Sequence, residues 1–169
     1  MKKFGILSFG HYAIGHQRGI SGVDALKQLL ELAQTADDLG VNGAYFRVHH
    51  FAPQAASPMP LLGAIAGSTT HIEVGTGVID MRYENPLYLA EEAAALDQLS
   101  DGRVALGVSR GSPEPAKDGW RAFCYDAQEA NGSDMARVKF ELFLSAIRGE
   151  GVAEADTLEN QYPQMYQPG

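Results

Sequence analysis

The sequence predicts a parallel α/β fold. Short apolar runs alternate with stretches of helical periodicity, and Gly, Pro, Asn and Asp punctuate each change. Strand–helix pairs also recur four times within about 150 residues, so each helix returns the chain to begin the next strand at the same end. Two architectures suit this alternation: an open doubly wound sheet, or part of a (β/α)8 barrel. A complete barrel takes about 250 residues, so these 169 residues read as roughly half of one. The tail from Gly151 is polar and carries Tyr162, Pro163, Tyr166 and Pro168 without a closing element. The expected organisation is therefore residues 1–150 as the N-terminal half of a (β/α)8 TIM-type barrel, its first four β/α units, with residues 151–169 leading toward a further half.

Each element has its own signal. Phe4 to Phe9 is a short apolar run closed by Gly10 and His11, the pattern of a buried strand. Leu26, Leu29, Leu30, Ala33 and Leu39 then recur at helical spacing. Ser21 and Asp24 form a capping pair at the start of that helix, and Gly40 supplies a left-handed residue at its end. Ala44 to Val48 reads as the second strand. Leu61 to Ala66 is a small apolar helix entered through Pro58 and Pro60, and Ile72 to Ile79, rich in β-branched residues, is the third strand. Asn85 is a good N-cap, and Pro86 occupies the first helical position, where its missing N–H costs nothing. Leu89, Ala93 and Leu96 make the buried stripe of that helix, and Asp101-Gly102 ends it. Val104 to Val108 is the fourth strand. After a long loop of Gly, Pro and Ser, Ser133 is expected to cap a helix with Ala136, Phe140, Phe143 and Ile147 on one face and Gly149 at its close.

Composition narrows the function. Hydrophobic residues make up 45% of the chain and charged residues 20%, which suits a packed core and argues against disorder throughout. Thirteen Lys and Arg against 21 Asp and Glu give a net charge of −8, the wrong balance for wrapping nucleic acid or lying on an anionic membrane. The one cysteine, Cys124, cannot form an internal disulfide, and the apolar run after Lys3 is too short for a signal peptide or a membrane span. A soluble cytoplasmic protein is expected.

In parallel α/β folds the active site lies beyond the carboxyl ends of the strands, where the chemistry-capable residues fall. Gly10, His11 and Tyr12 follow strand one, and His49, His50 and Phe51 follow strand two. Asp80 follows strand three, and Ser109-Arg110-Gly111 closes strand four. Adjacent His49 and His50 point to opposite faces of a strand. One can reach a ligand as general acid or base; the plainer alternative is that both bond loop carbonyls. His11, His16, His49, His50 and His71 lack tight ligand spacing and the cysteine lies elsewhere, so no metal site is expected. The Arg110 guanidinium suits a phosphate, which it holds with two parallel hydrogen bonds, and Gly111 lets a ligand approach the backbone. The alternative for Arg110 is an ion pair with Glu114 or Asp118. Gly75 and Gly77 lie inside a strand without the third glycine of a dinucleotide fingerprint; such a pair marks a bulge or the close approach of a flat ligand.

In order along the chain stand FGILSF (Phe4–Phe9), His49-His50-Phe51, VGTGV (Val74–Val78), Asn85-Pro86, DQLSDGR (Asp97–Arg103) and LGVSRG (Leu106–Gly111). Together, over about residues 1–149, they resemble the bacterial-luciferase-like flavin-dependent monooxygenases, a (β/α)8-barrel family. The resemblance implies reduced FMN as cofactor, which reacts with O2 to a C4a-hydroperoxide that oxidises a small organic substrate, and a flavin reductase as supplier. It implies that His49 is the catalytic histidine and that Arg110 holds the flavin phosphate with Ser109 beside it. A non-proline cis peptide at Gly77–Val78 would lie against the isoalloxazine, and His50 and Gly111 would complete the cofactor-binding set. A homodimer through the helices after strands two and three, with Leu61, Leu62, Leu89 and Leu96, is also implied. Luciferases carry an acid where this chain has Val48, so light emission on a long-chain aldehyde is not expected. The rival readings are a deazaflavin (F420)-dependent hydride-transfer enzyme and a non-catalytic flavin-binding relative. A lone half barrel is expected to expose apolar strand edges and to bind flavin weakly.

Overall fold

The computed structural model describes residues 2–111, 115–157 and 160. The elements run β1 (Gly5–Ser8), α1 (Gly22–Asp38), β2 (Gly43–Phe46), α2 (Pro58–Ser68), β3 (Glu73–Asp80), α3 (Pro86–Leu99), β4 (Val104–Ser109), a 3-10 helix (Gly119–Phe123) and α4 (Ser133–Ile147). The strands form one parallel sheet in the order β1-β2-β3-β4. Each strand pairs with its predecessor and the order never reverses. That is barrel winding; a doubly wound sheet has a switch point.

The helix starts follow the caps written in the sequence. The Ser21 hydroxyl accepts from the Asp24 N–H at 3.1 Å and donates to the Asp24 carboxylate at 2.8 Å. Asn85 Oδ1 accepts from the N–H groups of Leu87 and Tyr88 at 3.0 and 3.1 Å. Ser133 departs from expectation: it is the first residue of α4, and Gly132 caps the helix with φ +69°. Its hydroxyl donates instead to Glu129, one turn back. In α1 the buried stripe is Ala25, Leu29, Ala33 and Ala36, whereas Leu26 and Leu39 face outward, 49% and 76% exposed. Ile147 also lies outside the buried face of α4.

One face of the sheet packs on the helices. Ala44, Phe46 and Val74 meet Leu29, Leu62, Ile65 and Leu96 in one cluster. Val48, Ile79 and Met81 meet Leu89, Ala136 and Phe143 in a second. Side chains alternate along a strand, so Leu7, Tyr45, Gly75 and Gly77 belong to the opposite, inner face. The four leucines considered for a subunit contact are all buried: Leu61 and Leu62 lie in the first cluster, as does Leu96, and Leu89 in the second. At the amino ends of the strands, the Asp37 carboxylate accepts from the N–H groups of Thr70, His71 and Ile72 at 2.7, 2.9 and 2.7 Å. Burial opposes its ionisation, but these donors and the Thr70 hydroxyl outweigh that and hold its pKa at about 2. Among the described residues no helix is long and apolar enough to cross a membrane.

Candidate functional site

The carboxyl ends of the four strands share one edge, and the chain leaves each of them through a segment with polar side chains. Arg47 N donates to Ser8 O at 2.9 Å and Met81 N to Ser109 O at 3.0 Å, so the parallel pairing runs slightly past the strand ends. His49 lies three residues beyond β2 and Arg110 one residue beyond β4. Both therefore stand on the same mouth.

Below this mouth the inner face carries Gly75, Gly77 and Gly107, with the side chains of Tyr45, Leu7 and Val78 reaching over them. A methyl group on Gly75 would stand 1.8 Å from the Ala105 carbonyl oxygen, and one on Gly107 would stand 2.6 Å from that of Thr76. At Gly77 it would meet Leu7 Cδ1 at 2.8 Å. Glycine is thus required at Gly75 and Gly107 by the backbone of the neighbouring strand, whereas at Gly77 only the tip of the Leu7 side chain would have to move. The register of β3 against β4 shifts between Thr76 and Ile79, and within that irregularity the Gly77–Val78 peptide is cis. The Thr76 hydroxyl donates to Gly107 O at 2.9 Å across it.

At the β4 end, Ser109, Arg110, Ser133 and Arg137 line one cavity of about 230 Å³. Ser133 and Arg137 are four residues apart on α4, hence on one helix face. They bring a second guanidinium and the amino end of a 15-residue helix to the place where Arg110 stands. Arg137 was not evident from the sequence: 27 positions separate it from Arg110, and only the fold of the intervening segment joins them. Asp118 lines a neighbouring cavity of about 540 Å³ with Arg110. Among the described residues, however, Arg110 forms no ion pair, so the expected alternative with Asp118 is not realised. Glu114 lies outside the described residues.

Behind Arg110 sits a buried ion pair that the sequence reading did not single out. Arg82, 5% exposed, donates from Nε to both Asp80 carboxylate oxygens at 3.0 Å and from Nη2 to Oδ2 at 2.6 Å. Its Nη1 donates to Asn131 O at 3.2 Å, and its guanidinium carbon is 5.1 Å from the Trp120 ring centroid. Gly111, at φ +94°, packs directly on this group: an added Cβ would be 2.2 Å from Arg82 Nη2. The glycine expected to admit a ligand thus admits Arg82. The Lys139 ammonium donates to Arg82 O at 2.9 Å, and burial pushes its pKa down to about 8.

The two histidines, both beyond the end of β2, engage different neighbours. His49 N donates to Ala55 O and its Nδ1 lies 3.0 Å from His50 O. A carbonyl only accepts, so Nδ1 is the donor in this contact. The His50 ring packs 4.6 Å from Tyr83 and 5.0 Å from Phe123, on the 3-10 helix, with Nε2 4.0 Å from Glu84 Oε1. That 3-10 helix occupies what reads as featureless loop in the sequence. Among the described residues no group of three or more His, Cys, Asp or Glu could hold a metal ion.

Residues 2–156 match the family described as luciferase-like monooxygenase. The chain belongs to this family. Over 120 residues this luciferase-like chain is 32% identical to the oxygenase component of the flavin-dependent trigonelline monooxygenase of Acinetobacter baylyi, covering 63% of this chain and 33% of that protein. The oxygenating constituent of 3,6-diketocamphane monooxygenase from Pseudomonas putida, solved in complex with FMN, superposes with a TM-score of 0.69 at 21% identity, covering 83% of this chain and 38% of that one. The coenzyme F420-dependent tetrahydromethanopterin reductase of Methanopyrus kandleri superposes with a TM-score of 0.59 at 23% identity, over 85% of this chain and 39% of that one. These two structures speak for the shared fold. The chain spans well under half the length of each of the three proteins.

Proposed function

We propose that the protein is an FMN-dependent monooxygenase acting on a small organic substrate, with reduced flavin delivered by a separate reductase. The observation that supports this most is the pairing of Arg110 and Arg137 around one cavity between the end of β4 and α4. Two guanidinium groups and a helix amino end suit a phosphate dianion. Gly75, Gly77 and Gly107 add no side chains of their own to the inner face, and Leu7 and Val78 over them give a planar ring an apolar surface to lie on. When bound, reduced FMN supplies the activation of O2; the protein binds, orients and excludes water.

Within that division, His49 is the catalytic residue, exchanging a proton at Nε2 near the flavin ring while the His50 carbonyl holds Nδ1. Ser109 and Gly111 shape the turn that presents Arg110, the Gly111 N–H donating to the Ser109 hydroxyl at 3.1 Å. His50 acts by position, wedged against Tyr83 and Phe123. An F420-dependent enzyme of the same fold transfers hydride and needs no O2. Oxygen uptake by the full-length protein with reduced FMN separates the two: uptake above the free-flavin rate supports the monooxygenase, and hydride transfer with F420 without uptake overturns it.

A further inference from the structure

Arg47 belongs to neither the core nor the phosphate cavity. It stands between Tyr45 and His49 in steps of two residues, which places it on the inner face of the sheet. Its N–H bond to Ser8 O sets it opposite Phe9, and its guanidinium carbon lies 5.3 Å from the Phe9 ring centroid. Its Nε is buried and has no hydrogen-bond partner. Among the described residues no carboxylate pairs with it. Leaving a shielded, charged donor unpaired is unfavourable, and such groups persist where a ligand brings the acceptor. The surrounding inner face of these strands is apolar, carrying Leu7, Phe9 and Val78. An apolar wall bearing one guanidinium complements an organic acid, whose body lies on the wall while its carboxylate takes the fork of the arginine.

We propose that Arg47 is the specificity residue of the substrate pocket and that the substrate class is a small organic carboxylate. This rests on the reading of the mouth as a flavin-and-substrate site. Arg47 and His49 are two positions apart, with only Val48 between them, so an acid held there presents its apolar body along the same face as the His49 imidazole.

The test uses the full-length protein loaded with oxidised FMN, which occupies the phosphate cavity and leaves Arg47 as the cation in question. Matched acid and amide pairs (benzoate and benzamide, nicotinate and nicotinamide, phenylacetate and phenylacetamide) are titrated by ligand-observed NMR. Acids are expected to bind about tenfold more tightly than their amides, the scale of one charge-assisted hydrogen-bonded contact. Arg47→Met removes that preference without changing amide binding, Arg47→Lys keeps part of it, and unchanged FMN affinity in both shows that they are folded. No preference for acids in the wild type, or a preference that survives Arg47→Met, overturns the proposal. So does a loss of FMN affinity in Arg47→Met equal to that in Arg110→Ala, which would assign Arg47 to the cofactor. Repeating the titration without FMN separates the two readings. An acid preference carried by Arg47 in a protein that fails to bind FMN sinks the flavin reading alone, and FMN binding without acid preference sinks this one alone.

Discussion

Gly111→Ala should be far more damaging than a one-carbon change on a loop. Two costs add. At φ +94° an L-residue is strained by about 1–2 kcal/mol. The new methyl also falls 2.2 Å from Arg82 Nη2, so the guanidinium must shift from a carboxylate that is itself only 9% exposed. Full rupture of a buried pair by loss of one partner costs about 3–5 kcal/mol; partial displacement should forfeit about half, giving about 3–4 kcal/mol for Gly111→Ala when the strain is included. Arg82→Ala alone should cost about 3–5 kcal/mol. In the double variant the methyl enters space that the guanidinium has left, so only the backbone strain is added. The cycle should therefore close with a coupling of about 2 kcal/mol, measured from urea midpoints at constant m in the full-length protein. Additivity within about 0.5 kcal/mol would show that Gly111 and Arg82 do not share the space described.

Asp37→Ala strips the acceptor from three backbone N–H groups and should lower stability by about 1–2 kcal/mol in thermal or urea unfolding. Because the folded pKa of Asp37 (about 2) lies below the ordinary 3.8, its contribution is fully present above pH 4 and lost as pH falls toward 2. The wild-type advantage over Asp37→Ala should shrink across that window, and a gap that stays constant down to pH 2 counts against the assignment. His49→Ala should reduce turnover by about 100-fold or more, the usual worth of a general acid–base group, with FMN affinity nearly unchanged. Equal activity in that variant moves the proton-transfer role elsewhere.

Where local physics decides, the sequence was readable. Asn85-Pro86 starts α3 where capping chemistry puts it, and Ser21 with Asp24 does the same for α1. Four parallel strands follow from alternation, which left their order open between a barrel and a doubly wound sheet; the structure gives β1-β2-β3-β4. The misreadings have a common origin in tertiary context. Leu26 and Leu39 fit a helical stripe, but the smaller Ala25 and Ala36 give the close approach that α1 makes to the sheet and its neighbours. Ser133 has the chemistry of a cap, yet Gly132 in the left-handed region takes that place. The 3-10 helix has too few residues for periodicity to register, and its contacts with His50 and Arg82 come from Phe123 and Trp120 docking at long range. Of the candidate site, His49, Gly77–Val78, Ser109 and Arg110 were named from the sequence. Arg137 and the Asp80–Arg82 pair emerged only when β3, β4 and α4 were brought together.

The phosphate cavity is tested most directly by titrating FMN and riboflavin, which lacks the phosphate, into the full-length wild type, Arg110→Ala and Arg137→Ala. Each substitution should weaken FMN by about 10- to 100-fold, as expected for losing one charge-assisted, two-bonded contact, and leave riboflavin within about twofold. If both flavins weaken together, or neither does, the two arginines do not hold the phosphate and the cofactor site described here is wrong.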